Sequence, residues 1–130
     1  MNIVKIKETC LYVKDLDQTV AFYHGKLKFP VIGRVEDRHV FFRAGASVLL
    51  CFIAEATKND TKLPPHFGSG NQHLAFEVSP AEYQEWKRTI EEAGVEVVHE
   101  QEWSKGLKSF YFRDPDGNLL EILPEGGIWE

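Results

Sequence analysis

Apolar and polar positions follow the same order in two stretches of the chain. In the first, Ile3–Val13 reads as a strand in which Leu11 and Val13 mark one side and Glu8, Cys10 and Tyr12 the other, because successive strand side chains point to opposite faces. The period then becomes helical. Val20, Tyr23 and Leu27 form one stripe, Asp15 is placed as N-cap with Gln18 three residues on, and Phe29-Pro30 ends the run. Three short strands are predicted next, over Val31–Val35, His39–Arg43 and Ser47–Ile53. Arg34-Val35-Glu36-Asp37 and Ala44-Gly45-Ala46 read as the turns between them.

The second stretch repeats this order. Gln72–Val78 reads as a strand. Ser79-Pro80-Ala81-Glu82 predicts a helix start, with Ser79 as cap and Pro80 at the first helical position. Tyr83, Trp86 and Ile90 give the buried stripe, and Gly94 stops the helix. Val95–Glu100, Ser109–Arg113 and Leu119–Leu123 read as strands, with a turn at Asp114-Pro115-Asp116-Gly117. Equivalent strands lie 65, 70 and 71 residues apart. An internal duplication of this kind decides architecture more firmly than propensity does. The expected fold class is α+β: one domain of two βαβββ modules, residues 1–56 and 72–130, joined by a linker over 57–71. The modules are expected to form a curved mixed sheet, with helices on one face and a concave cavity on the other. The linker holds Pro64-Pro65, Gly68 and Gly70. It is long for a structureless loop and reads as a mobile lid or binding loop.

Composition narrows the function. With 15 Lys+Arg against 20 Asp+Glu the net charge is −5, which argues against a general nucleic-acid binder. No run approaches the roughly 18 apolar residues of a membrane span. Met1–Lys7 has no apolar core of a signal peptide, so a cytoplasmic protein is expected. Cys10 and Cys51 sit in apolar strand runs and read as buried reduced thiols.

Strand parity selects the candidate chemistry. Glu8, His73 and Glu121 fall on the face away from the helices, at equivalent positions of the repeat. On these residues the chain resembles the vicinal oxygen chelate superfamily, which includes glyoxalase I, bleomycin-resistance proteins, extradiol dioxygenases and fosfomycin-resistance thiol transferases. The resemblance rests on Leu11–Leu16 running into Val20-Ala21-Phe22-Tyr23, on Gln72–Val78 and on Ser109–Glu121, and spans nearly the whole chain. It implies a divalent metal, with Mn, Fe, Ni, Zn or Mg as candidates, held at the positions of Glu8, Leu50, His73 and Glu121. Leu50 cannot ligate, so Glu8, His73 and Glu121 form the candidate metal set. Glu8 stands where three-ligand members usually carry His. Two carboxylates offset the ion's charge, and three ligands leave positions open for substrate oxygens. Glu8 and Glu121 are also the candidate catalytic carboxylates. If they approached each other without a metal, one would tend to hold a proton.

Cys10, His39, Leu50, Phe52, Ser109 and Tyr111 are expected to wall the substrate cavity, whose apolar part suits a hydrophobic or planar portion of the ligand. Arg43 and Arg113 read as turn caps through Asp114 or Asp116. Trp103 is a candidate lid aromatic, and His66 a loop histidine within possible reach of the site. Two functions remain open: a metal-dependent lyase, isomerase, thiol transferase or dioxygenase acting on a small oxygenated substrate, or a protein that sequesters a drug-like molecule without chemistry. The resemblance also implies a homodimer, with a site inside one chain or shared between two.

Overall fold

Strands form in the expected order, the first beginning at Glu8 rather than Ile3. The computed structural model describes residues 1–130. Its first half holds β1 (Glu8–Val13), β2 (Val31–Val35), β3 (His39–Ala44) and β4 (Ser47–Ile53) in the order β1-β4-β3-β2. β1 runs parallel to β4, in register from Glu8 beside Val48 to Val13 beside Ile53; β3 is antiparallel to both β4 and β2. This register puts Leu11, Val40, Phe42, Leu49 and Cys51 on one face, all buried. Helix α1 covers that face. It begins as an α-helical turn, Leu16–Val20, and continues as a π-helical segment, Ala21–Lys26. Asp15 caps it as expected, its carboxylate accepting from the Gln18 amide at 2.9 Å. The widened turns close through an i→i−5 bond from the Leu27 amide to the Phe22 carbonyl. They bring Phe22, Tyr23 and Leu27 onto the sheet, with the Tyr23 ring 5.5 Å from Phe42.

The second half repeats the topology. β5 (His73–Val78), β6 (His99–Glu102), β7 (Lys108–Arg113) and β8 (Leu119–Pro124) take the order β5-β8-β7-β6, with β5 parallel to β8. After a short helix α2 (Ala54–Thr57) at the end of β4, the third helix, α3 (Tyr83–Glu92), packs in this half. Its Tyr83 ring lies 5.5 Å from Phe110, and Ile90 is fully buried.

Four local expectations are corrected. Ser79 makes no side-chain cap: Pro80–Glu82 forms a 3-10 turn, and the Glu82 amide bonds the Ser79 carbonyl instead. Trp86, expected in the buried stripe, is half-buried. The strand expected over Val95–Glu100 is His99–Glu102. Gly94 takes the left-handed conformation (φ 82°) and the amides of Ala93, Gly94 and Val95 fold back onto α3, so the chain is still turning where the alternation already reads as a strand. Arg113 donates to the Gly117 carbonyl at 3.0 Å rather than to an aspartate. The Asp114 carboxylate is otherwise engaged: it accepts from the amides of Asp116 and Asn118 and from Asn118 Nδ2, each at 2.9 Å.

The chain divides into two compact units, Met1–Gly70 and Asn71–Glu130. The segment read as a linker thus belongs to the first unit almost to its end. It is fastened there by the His66 ring, stacked on Phe52 at 4.7 Å, and by Asp60, whose carboxylate accepts from Arg38 at 2.7 Å, while Thr57 Oγ1 donates to the His66 carbonyl and Lys58 lies 4.9 Å from the Phe67 ring within the segment. No helix is long and apolar enough to cross a membrane.

Candidate functional site

His73 opens β5, and its Nδ1–H donates to the Leu119 carbonyl at the start of β8, 2.9 Å away. A carbonyl only accepts, so Nδ1 carries a proton, and in the neutral ring the lone pair is on Nε2. That lone pair faces Glu121 Oε1 at 3.3 Å. Glu121 reaches it from β8, where it is 5% exposed, and its other oxygen, Oε2, is buried with no hydrogen-bond partner. With the neutral ring, two acceptors point at each other beside a carboxylate oxygen without a partner, an arrangement that either a proton on Nε2 or a bound cation completes. Nitrogen and oxygen donors sit about 2.0–2.2 Å from a zinc-like ion, so two on adjacent corners lie about 3 Å apart. The 3.3 Å gap fits that spacing, and so does the chemistry of the pair. A ligating histidine ordinarily donates its other N–H to a carbonyl or carboxylate, as His73 does.

Around the pair stand the neighbouring strands. Tyr111 of β7 lies opposite Glu121, with its ring 6.0 Å from His73 and 5.7 Å from His99. Burial, and then the Glu121 carboxylate, push the Tyr111 phenol pKa up, so the hydroxyl keeps its proton. Ser109 is fully buried, and its hydroxyl accepts from Trp103 Nε1 at 2.9 Å. Trp103 is therefore tied to the strand rather than carried on a free lid.

The first unit carries the remaining candidates. Glu8, at the start of β1, is exposed, and Cys10 is half-buried rather than buried as expected. Burial, and then the Glu8 charge, raise the Cys10 thiol pKa, which disfavours the thiolate. Leu50 and Phe52 share this face of the sheet and are covered. His39 lies beside Phe52 in the register. Sequence reasoning missed the partners of His39. Arg38 Nη1 is 2.5 Å from His39 Nδ1, and Arg38 Nη2 is 2.7 Å from Asp60 Oδ2. A pair 22 residues apart with no periodic relation leaves no mark in the sequence. The structure thus joins His73 to Glu121. It gathers no cluster of three His, Cys, Asp or Glu side chains within the chain, and Glu8 lies in the other unit.

Duplicated βαβββ units with a carboxylate–histidine pair on the open strand face define a class. The profile of the Glyoxalase/Bleomycin resistance protein/Dioxygenase superfamily matches residues 5–122, and the chain belongs to that superfamily. Among solved structures, lactoylglutathione lyase from Agrobacterium tumefaciens superposes with a TM-score of 0.90 at 32% identity, covering 96% of each chain. The glutathione transferase FosA of Serratia marcescens is 31% identical over 115 residues, 86% of this chain and 74% of that protein. The metallothiol transferase FosB of Staphylococcus epidermidis is 25% identical over 124 residues, 94% of this chain and 82% of that protein.

Proposed function

We propose that this protein is a divalent-metal-dependent enzyme acting on a small oxygenated substrate, with a thiol or thiol adduct as reactant. The observation that carries the reading is the His73–Glu121 pair, with its free imidazole lone pair and partnerless Oε2. The thiol comes from the relatives: the three proteins named above are a glutathione transferase, a metallothiol transferase and a lactoylglutathione lyase. His73 and Glu121 would hold the metal, with Glu8 of a second copy in a homodimer as the third ligand. One imidazole and two carboxylates make an oxygen-rich donor set suited to Mn²⁺, Fe²⁺, Ni²⁺, Zn²⁺ or Mg²⁺. A bound ion of this kind polarises a carbonyl or stabilises an alkoxide or enolate, an effect of several kcal/mol.

The chain's own groups supply the rest. The Leu119 carbonyl holds the His73 ring in its ligating orientation. Tyr111, still protonated, directs its hydroxyl at Glu121 and steadies that carboxylate. Leu50 and Phe52 make the first unit's part of the expected cavity apolar. Cys10, kept as the thiol, serves as wall and not as nucleophile. Pure sequestration of a drug has no use for a buried carboxylate oxygen left without a partner, which favours the enzyme.

The test is metal titration by calorimetry on tag-free, stripped protein, with His73→Ala, Glu121→Ala and Glu8→Gln beside the native chain. Stoichiometric binding lost in the first two variants and weakened in the third supports the assignment. Undiminished binding in His73→Ala overturns it. Screening metal-loaded protein with thiol–epoxide pairs and with hemithioacetals then separates transferase from lyase.

A further inference from the structure

His39 and Phe52, already read as substrate-cavity wall, belong to a built group of side chains in the first unit that involves neither His73 nor Glu121, and the ligand inferred for it rests on that cavity reading. Arg38 is its anchor. Its guanidinium donates to Asp60 and to His39 Nδ1, and its Cζ lies 5.8 Å from the Phe52 ring centre. A guanidinium has only protons to give, so His39 Nδ1 accepts and the single ring proton of neutral His39 sits on Nε2. Burial, and then the Arg38 charge, lower the His39 pKa and keep the ring neutral. Asp60 faces the same guanidinium from the 57–70 segment, and the His66 ring borders Phe52 from that segment. Nε2–H has no partner in the chain.

The rings around it are ordered. His39 stacks on Phe41 with centroids 4.1 Å apart and planes 9° from parallel. Phe52 stands edge-on to both, 5.8 Å from His39 and 5.5 Å from Phe41. His39 and Phe41 are half-buried, so part of this ring surface remains open. Asp60 already neutralises Arg38, so the site has no spare cation for an anionic ligand.

We propose that this face binds a flat, uncharged conjugated group carrying a carbonyl oxygen, which packs on the Phe41 and His39 rings and accepts the His39 Nε2–H. The lone N–H offers a hydrogen bond to an acceptor, and ring surfaces favour a planar partner in offset or edge contact. Tyr12, Phe52 and His39 are level in the register, four residues along β1 from Glu8. At about 3.3 Å per residue the site lies about 13 Å along the strand from the Glu8 end.

The probes are benzamide, which is flat with a carbonyl, cyclohexanecarboxamide, which has the carbonyl without the flat ring, and benzoate, which is flat and anionic. Imidazole ¹⁵N spectra at pH 7.5 first read the His39 tautomer, and the titrations are then followed on its Nε2 signal. His39 should be in the Nε2–H form. Benzamide should bind at least fivefold more tightly than either other probe. His39→Phe, which keeps a ring and removes the donor, should weaken benzamide about fivefold, the size of one neutral hydrogen bond. Phe41→Leu should remove the preference for benzamide over cyclohexanecarboxamide. An Nδ1–H tautomer, equal binding of the three probes, or undiminished benzamide binding in His39→Phe each overturns the proposal. The work uses metal-free protein and repeats the titration in His73→Ala, so failure of the metal reading leaves this outcome unaffected.

Discussion

Glu121→Gln should make the metal-free protein more stable and the metal-loaded protein less so. The carboxylate is 5% exposed, with Oε2 unpartnered and Oε1 facing the His73 lone pair at 3.3 Å. A buried polar group left unsatisfied costs about 1–3 kcal/mol, and more when charged. Gln keeps the shape, removes the charge and can donate its amide N–H to His73 Nε2. The expected gain is about 1–2 kcal/mol, set by that unsatisfied-group cost. At this chain length that is a rise of roughly 3–8 °C in midpoint. Metal reverses the order. At a hundred times its dissociation constant an ion stabilises the native chain by about 2.7 kcal/mol. If the variant binds a hundredfold more weakly, the same concentration stabilises it by about 0.4 kcal/mol. Thermal and urea unfolding followed by circular dichroism, with and without Mn²⁺ or Zn²⁺, reads both terms. A variant destabilised without metal, or one gaining as much from metal as the native chain, would refute the reasoning. A stability gain on removing a functional group is the signature expected of a site shaped for a ligand and not for the fold.

The other predictions concern the scaffold. Tyr83 OH is buried without a partner, so Tyr83→Phe should stabilise by about 1 kcal/mol in urea unfolding, against the usual direction for core substitutions. Burial, with smaller contributions from Glu100 and Glu121, pushes the Tyr83 pKa from 10.0 up to about 12, so the unfolded chain ionises first. Stability from this group is therefore full below pH 10 and lost as pH rises through about 12, a loss Tyr83→Phe should not show. Asn118→Ala removes a buried amide that donates to Asp114 and accepts from the Gln72 amide, and should cost about 2–3 kcal/mol by the same assay. A methyl at Gly68 would lie 2.6 Å from the Tyr12 ring, so Gly68→Ala should push the ring aside and raise limited proteolysis within 57–70, with global unfolding little changed. The depressed His39 pKa means stability that is full above about pH 6.5 and falls as the pH drops through the folded-state pKa. His39→Phe should flatten that part of the pH–stability curve.

Elements, their order and their faces were legible because each depends on neighbours in the chain. Alternation put Leu11 and Val13 against the helix and Glu8, Cys10 and Tyr12 away from it, and burial follows that division. The internal repeat then set the shared topology of the two units, since matching patterns of apolar positions close the same way twice. Parity also brought His73 and Glu121 to one face of the second unit.

Their relation needed the tertiary structure. The parallel pairing of β5 with β8 puts the Leu119 carbonyl against His73 Nδ1 and decides which nitrogen is free. No periodicity encodes that choice, because it depends on a register between segments 46 residues apart. Nor does any pattern encode the Asp60–Arg38–His39 chain, the stack of His66 on Phe52 or the Trp103–Ser109 bond. The composition of residues 57–71 read as a mobile lid or binding loop, since Pro, Gly and charge carry no apolar period. Packing instead fastened it to the first unit through single contacts from isolated side chains. Local periodicity therefore determined which residues share a face. Only the folded chain decided which atoms on that face meet, because meeting depends on distances set by strand register and loop closure.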